Sequence, residues 1–247
     1  MLKTVRLTKF FSGFRAVNDL DFEFQGGEIR CVIGPNGAGK STLFNLISGV
    51  VAPTSGEIWY QGRNITHLPP HRRSQLGIAR KFQVPNVYRS MTVWENVQVP
   101  VQRRPLDRAP IARALPGGVR ERVEEILRTV RLAEKRNYLA SQLSHGEVQW
   151  LEIGMALGTA PRLLLLDEPT AGMTAEETRE TARLIRKLAV DLAIIVIEHD
   201  IHFIKEIADR ITVMHNGSVL TEGTVSEIER DPRVLSIYLG TTHDALG

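Results

Sequence analysis

Residues 34–41 read Gly34-Pro35-Asn36-Gly37-Ala38-Gly39-Lys40-Ser41, a GxxxxGK[ST] spacing between the mainly apolar run Ile29-Arg30-Cys31-Val32-Ile33 and an apolar stretch that begins at Leu43. Glycines at these positions let the backbone curl so that several N–H groups point inward, and a strand delivering that curl onto a helix N-terminus forms a cradle for phosphate. In such a cradle Lys40 reaches the β and γ phosphates of a triphosphate, the Ser41 hydroxyl ligates Mg²⁺, and Thr42 offers a hydroxyl to the α phosphate. A dinucleotide fingerprint needs GxGxxG, which Gly34, Gly37 and Gly39 do not supply, so hydride-transfer chemistry is disfavoured.

The surrounding pattern agrees with an α/β core. Short strands are expected at 4–7, 20–24, 29–33 and 57–60, with a helix starting near Gly39 and ending about Gly49. Val119, Val123, Ile126, Leu127 and Val130 recur at helical spacing, and a further helix is expected over 147–157. Between them the Arg-, Pro- and Gly-rich stretch 100–118 reads as a surface excursion. Leu163 to Leu166 and Ala193–Ile197 are continuous apolar strands around a charged helical stretch, the pattern of a sheet covered on both faces. A hairpin is expected around Asn216-Gly217, with strands at 211–214 and 218–222. There is no internal repeat or low-complexity linker, and the reading is one domain over 1–247 with a helical insertion at about 86–160.

Four further positions gain meaning from the phosphate loop. Asp167 and Glu168 end an apolar strand at its carboxyl edge, where open α/β sheets place ligands; Asp167 suits a Mg²⁺ shell and Glu168 suits polarising a water beyond the γ phosphate. Taken alone, such a pair is a solvated strand end. His199 follows the strand Ala193–Ile197 and can donate to a γ-phosphate oxygen or to the attacking water, or else is a surface histidine in a charged turn. Gln83 can orient water or touch Mg²⁺.

Together these segments resemble the ATP-binding subunits of ABC transporters, along essentially the whole chain, and within them the importers of branched-chain amino acids and of urea or short-chain amides. The resemblance implies a P-loop core with an N-terminal antiparallel β subdomain and a helical signature subdomain. It implies that Phe11 stacks on adenine with Val17 packed nearby, that residues 34–42 form the ATP-phosphate loop, and that Gln83 is the switch glutamine. Asp167 would close the second acidic strand, Glu168 would be the catalytic carboxylate, and His199 the switch histidine. The family's LSGGQ signature, which clasps the partner subunit's ATP, corresponds to Leu143-Ser144-His145-Gly146-Glu147, with Ser144 and Gly146 as expected γ-phosphate contacts and His145 and Glu147 as departures. Thr174 stands where many relatives have aspartate, and retains a hydroxyl able to bond across a dimer. His145 and the following Gln149-Trp150-Leu151-Glu152 look like the urea-type subgroup, so urea or a short amide is expected as cargo ahead of branched-chain amino acids. The implied partners are a second ATP-binding subunit in a head-to-tail pair, two membrane permease subunits docking in the groove behind Gln83 at residues 84–89, and indirectly a solute-binding protein; Phe82, Val87, Tyr88 and Trp94 are either contacts there or partly buried core side chains.

Composition sets outer limits. At 43% hydrophobic and 24% charged residues the chain has an ordinary globular make-up, which excludes disorder and disulfide-stapled miniature folds. The balance of 31 basic against 28 acidic residues is too small to argue for a nucleic-acid partner. The one cysteine, Cys31, lies inside an apolar strand and is expected to be a buried small hydrophobe. With no long apolar stretch, the chain is expected to be cytosolic, and the resemblance implies a peripheral place on the cytoplasmic face of the inner membrane.

Overall fold

The computed structural model describes residues 1–81, 87–102 and 117–240. In chain order the elements are β1 (Leu2–Phe11), β2 (Phe14–Phe24), β3 (Ile29–Ile33), α1 (Lys40–Ser48), β4 (Ser55–Tyr60), β5 (Arg63–Asn64), α2 (Pro70–Gln75) and β6 (Ile78–Lys81). The helices α3 (Val93–Val101), α4 (Gly117–Thr129) and α5 (His145–Gly158) follow, and then β7 (Leu163–Asp167), α6 (Ala175–Leu188), β8 (Ala193–Ile197) and α7 (Ile201–Ile207). The hairpin β9 (Arg210–His215) and β10 (Ser218–Gly223) precedes α8 (Val225–Arg230) and α9 (Pro232–Gly240).

The strands form two sheets, an antiparallel one in the order β2-β1-β4-β5 and a six-stranded one in the order β10-β9-β3-β8-β7-β6. In the larger sheet β6, β7, β8, β3 and β9 run parallel and β10 returns antiparallel. Its central strands are mainly apolar because both faces are covered, the exceptions being Arg30, paired with Glu28 and Glu222, and Asp167 at the end of β7: Cys31, Leu164, Leu166, Ile194 and Val196 pack toward α3 to α7, while Val32, Leu163, Leu165 and Ile195 pack toward α1 and the antiparallel sheet. Each leucine of β7 is fully buried, which stabilises the fold by about 1.5–3 kcal/mol per side chain. The carboxyl ends of β3, β7 and β8 therefore lie side by side at one edge.

Several elements differ from the sequence expectation, for physical reasons. β1 extends well beyond 4–7, but its register against β2 shifts at three places and Arg6 and Asp19 take φ of 44° and 43°, so the alternation that marks a strand is broken by bulges. β6 was not anticipated because half of its four residues are charged; Arg80 and Lys81 are nonetheless buried, each facing carboxylate. α3 was missed too, although Thr92 and Glu95 form the capping box that marks its start, and it continues through Pro100 into the stretch expected to be irregular. Of that stretch, residues 103–116 lie outside the described residues. The Asn216-Gly217 turn is as expected, with φ of 48° and 79°, the left-handed pair a two-residue hairpin requires.

Candidate functional site

The phosphate loop leaves the central strand β3 and enters α1 through Gly39. Two of its glycines are required by close approach. A Cβ on Gly34 would lie 2.2 Å from the Met214 carbonyl oxygen and one on Gly39 2.3 Å from that of Ala16, at φ of +150° and +98°. No side chain caps α1 and no acid sits in its first turn, so its leading amides face the loop undischarged, the arrangement that binds an anion. Asn36 and Gly37 are exposed at the tip, Ala38 is buried, and the Pro35 carbonyl accepts from the Ala38 N–H at 3.2 Å. Lys40 folds back over the loop, its Nζ donating to Gly34 O at 2.7 Å and Pro35 O at 3.0 Å. Partial burial lowers the Lys40 pKa, and the negative charges of Glu168 and Asp167 oppose that shift. Ser41 is exposed and Thr42 half-buried on the first turn of α1.

Asp167 ends β7 almost fully buried, and its Oδ2 accepts from Arg80 Nη2 at 2.9 Å. Arg80 also donates to Asn45 Oδ1 on α1 at 2.7 Å, so one guanidinium joins the acidic strand to the helix behind the phosphate loop. Glu168 follows with φ of 46°, its N–H donating to Ile197 O at 2.9 Å and its carbonyl accepting from Ala171 N–H at 3.3 Å. Its Oε1 is 3.7 Å from His199 Nδ1, with the imidazole 72% exposed. The structure thus brings Lys40, Asp167, Glu168 and His199 together. Gln83 lies outside the described residues.

Sequence reasoning passed over the group that holds this constellation. Glu198 is buried between the two strand ends and accepts from Thr170 N–H at 3.1 Å, from the Thr170 hydroxyl, and from His199 N–H at 2.9 Å. One carboxylate therefore fixes both the turn after Glu168 and the backbone of His199. An acidic residue directly after five apolar strand positions was the available signal, since an ionised group there needs several donors.

Ser144 caps α5 in a capping box with Glu147, and its hydroxyl also donates to Glu177 Oε1 at 3.4 Å. Burial raises the Glu147 pKa, but hydrogen bonds from Lys135 and Ser144 N–H outweigh it and hold the carboxyl below its ordinary value. At Gly146 a Cβ would stand 2.5 Å from Glu177 Oε1, so a larger residue there would have to displace that carboxylate. Thr174, expected to bond across a dimer, caps α6 and exchanges hydrogen bonds with Glu177 of its own chain. Neither Ser144 nor Gly146 shares a hydrogen bond with residues 34–42 among the described residues.

At the tip of the antiparallel sheet Phe11 is 42% exposed with Lys9 Nζ 5.0 Å from its ring centroid, and Phe14, not singled out from the sequence, is 62% exposed. Val17 is fully buried, so it supports the sheet under the loop and presents no face to a base. On another side a groove of about 440 Å³ is lined by His71, Lys81, Tyr88, Glu152 and Met155 among others. Val87 and Trp94 pack against the core, and Tyr88 is exposed. Burial lowers the Lys81 pKa, opposed chiefly by Glu152, 3.9 Å away. Among the described residues no group of three or more His, Cys, Asp or Glu could hold a metal ion, and no helix is long and apolar enough to cross a membrane.

The family model described as "ABC transporter" matches residues 17–171. The high-affinity branched-chain amino acid transport ATP-binding protein LivG of Salmonella typhimurium is 37% identical over 239 residues, 93% of this chain and 94% of that protein. The BraF counterpart of Pseudomonas aeruginosa is 36% identical over 250 residues, 97% and 98% of the two chains. Among solved structures, the ATP-binding cassette MJ1267 of an ABC transporter superposes with TM-score 0.86 at 30% identity over 96% of this chain and 98% of that one. The dimeric cassette MJ0796 gives TM-score 0.79 at 27% identity, over 91% and 99%. With a phosphate loop, an acidic strand end and a histidine converging on one sheet edge, and with likeness along the whole chain, the protein belongs to the ABC transporter family, as an ATP-binding, ATP-hydrolysing subunit of α/β fold with an N-terminal β subdomain and a helical subdomain.

Proposed function

We propose that the chain binds ATP·Mg²⁺ between two head-to-tail copies or near-copies and spends its hydrolysis on import through separate membrane permease subunits served by a solute-binding protein. The observation that carries the reading is the Glu168 carboxylate held 3.7 Å from His199 at the strand edge beside Lys40. Lys40 and the amides of residues 34–42 hold the triphosphate, Phe11 stacks on adenine, and Ser144 and Gly146 clasp the partner's γ phosphate. Glu168 takes the proton of the attacking water, and His199 donates to the γ-phosphate oxygens as charge develops there. Ser41 and Asp167, with Gln83, present only oxygen donors, the set Mg²⁺ prefers, and Mg²⁺ would neutralise charge on the β and γ phosphates. The pairing is supported by the likeness to a dimeric cassette. The helical insertion over about 86–160 belongs to the same single domain, and the groove beside Tyr88 receives the permease, which places the subunit peripherally at the cytoplasmic face of the membrane.

For the cargo, both relatives described above carry names of branched-chain amino acid transport, so that class takes precedence over the urea or short-chain amide expected from the signature segment. The amide reading rests on the likeness of His145 and the segment after it to the urea-type subgroup. Uptake of labelled leucine and labelled urea is measured side by side in cells carrying either the wild-type chain or Lys40→Ala. Loss of leucine uptake supports the first reading, loss of urea uptake alone replaces it by the second, and retention of both in cells lacking any redundant importer overturns import of either.

A further inference from the structure

His145 is the first residue of α5, directly after the capping serine. Its Nε2 lies 2.9 Å from the Ala171 carbonyl oxygen, in the loop between β7 and α6. A carbonyl can only accept, so Nε2 carries the proton. Gln149, buried one turn along α5, has its amide nitrogen 3.3 Å from the same Nε2, and its Oε1 has no partner among the described residues. Turning that amide over gives the imidazole N–H a second acceptor, so the network itself selects the flipped orientation. The ring packs against Gly172, where an added Cβ would come within 3.0 Å of both Cδ2 and Nε2 at a φ of +73°. Histidine at 145 and glycine at 172 are therefore fitted to each other.

The contact does not stop at Ala171. The same residue donates its N–H to the Glu168 carbonyl at 3.3 Å, so two hydrogen bonds lead from the imidazole to the residue that carries the strand-edge carboxylate. We infer that His145 is a positioning residue that ties the turn Ser144-His145-Gly146 to the Glu168 loop of the same chain, and thereby couples the two nucleotide sites of a paired assembly. The inference rests on the proposed clasp, in which Ser144 and Gly146 serve the partner's nucleotide while Glu168 serves the chain's own. A movement of the clasping turn on ATP arrival is then passed to the loop that aims Glu168 at the other ATP. Glycine at 145, the residue of the family signature, has no side chain to make this bond.

The test compares His145→Gly, His145→Gln and His145→Asn in the full-length chain, reading ATP turnover against ATP concentration, with thermal stability as a control. Gln places an N–H at about the reach of Nε2, and Asn falls short. In His145→Gly and His145→Asn, the Hill coefficient falls from a wild-type value above 1 to about 1 and kcat drops about fivefold, with KM for ATP within about twofold. His145→Gln keeps both the Hill coefficient and kcat. A loss of packing alone shifts the melting temperature without removing cooperativity. A wild-type Hill coefficient of 1, an unchanged His145→Gly, or a His145→Gln as impaired as His145→Gly overturns the inference. Ser144→Ala in the same assay separates this from the clasp: if it is impaired while His145→Gly behaves as wild type, only the tie falls, and if both behave as wild type the clasp falls as well.

Discussion

Replacing Glu198 tests whether one buried carboxylate holds the hydrolytic edge together. Its side chain is 1% exposed and takes hydrogen bonds from the Thr170 amide, the Thr170 hydroxyl and the His199 amide. Glu198→Ala leaves two backbone donors and a hydroxyl facing a cavity. A buried donor left unsatisfied costs about 1–3 kcal/mol, and water entering the space recovers part of that, so a net loss of about 3 kcal/mol is expected. For a domain of this size that lowers the melting temperature by roughly 6–12 °C. Glu198→Gln keeps the volume but turns one acceptor into a donor that faces an N–H, so it should lose about half as much. Both variants loosen Thr170 and His199 relative to Glu168 while touching nothing in residues 34–42. Turnover should accordingly fall about tenfold at saturating ATP with KM changed less than about threefold. Differential scanning fluorimetry and a coupled ATPase assay read the two effects. A Glu198→Ala protein that melts within 2 °C of wild type (about 1 kcal/mol or less) and hydrolyses ATP at the wild-type rate would refute the reasoning.

Lys40→Ala should lose ATP affinity by at least tenfold, whereas Glu168→Gln should bind ATP, stay associated as a pair on size exclusion with ATP, and turn over at under about 1% of the wild-type rate; equal affinity in the first or normal turnover in the second contradicts the assignments. Burial, with the charges of Glu198 and Asp209 adding to it, pushes the Cys31 thiol far above its ordinary pKa, so a thiol reagent at pH 8 should find no reactive group until the protein is unfolded. Gly39→Ala places a Cβ against the Ala16 carbonyl at a left-handed φ and should cost more than about 3 kcal/mol, read as failure to fold or a melting point lowered beyond 6 °C. At Glu168, φ of 46° means that Glu168→Gly should melt no lower than wild type while Glu168→Val loses about 1–2 kcal/mol; a valine variant more stable than the glycine one would show that the backbone there is unstrained.

Much of this site was legible because its chemistry is carried by residues adjacent in sequence. The phosphate loop needs glycine where carbonyls of Met214 and Ala16 come close, and it needs lysine and serine at the helix start, so spacing alone marks it. The mainly apolar strands β3, β7 and β8 were equally plain, since coverage on both faces admits only polar groups with partners, as Arg30 has in Glu28 and Glu222. What escaped were residues whose role depends on contacts far along the chain. Arg80 and Lys81 hide a strand behind charge because Asp167 and Glu152, 87 and 71 positions on, supply their counter-charges. Glu198 reads as one acid among three neighbouring polar residues until Thr170, 28 positions earlier, is seen donating to it twice. Val17 was placed near the base by resemblance, and its burial follows from the pairing of β1 and β2, whose bulged register no alternation reveals.

The site's rigidity follows from how its strained turn is held. A non-glycine residue in the left-handed region costs roughly 1–2 kcal/mol, and Glu168 sits there immediately after a strand whose four leucines cannot shift without opening the core. Its N–H is spent on Ile197 and its carbonyl on Ala171, while Glu198 pins Thr170 and His199 from below. Four such hydrogen bonds at about 1 kcal/mol each offset the strain and leave little freedom for the carboxylate's backbone. The backbone from which Glu168 reaches toward His199 is therefore largely set before any ligand arrives, and what adjustment remains runs through the loop that follows it. The loop 171–173 closes this arrangement, and its hydrogen bond to the helical subdomain runs through an exposed imidazole. If a paired assembly is to adjust one hydrolytic carboxylate in response to the other nucleotide, that loop is the path through which the adjustment runs.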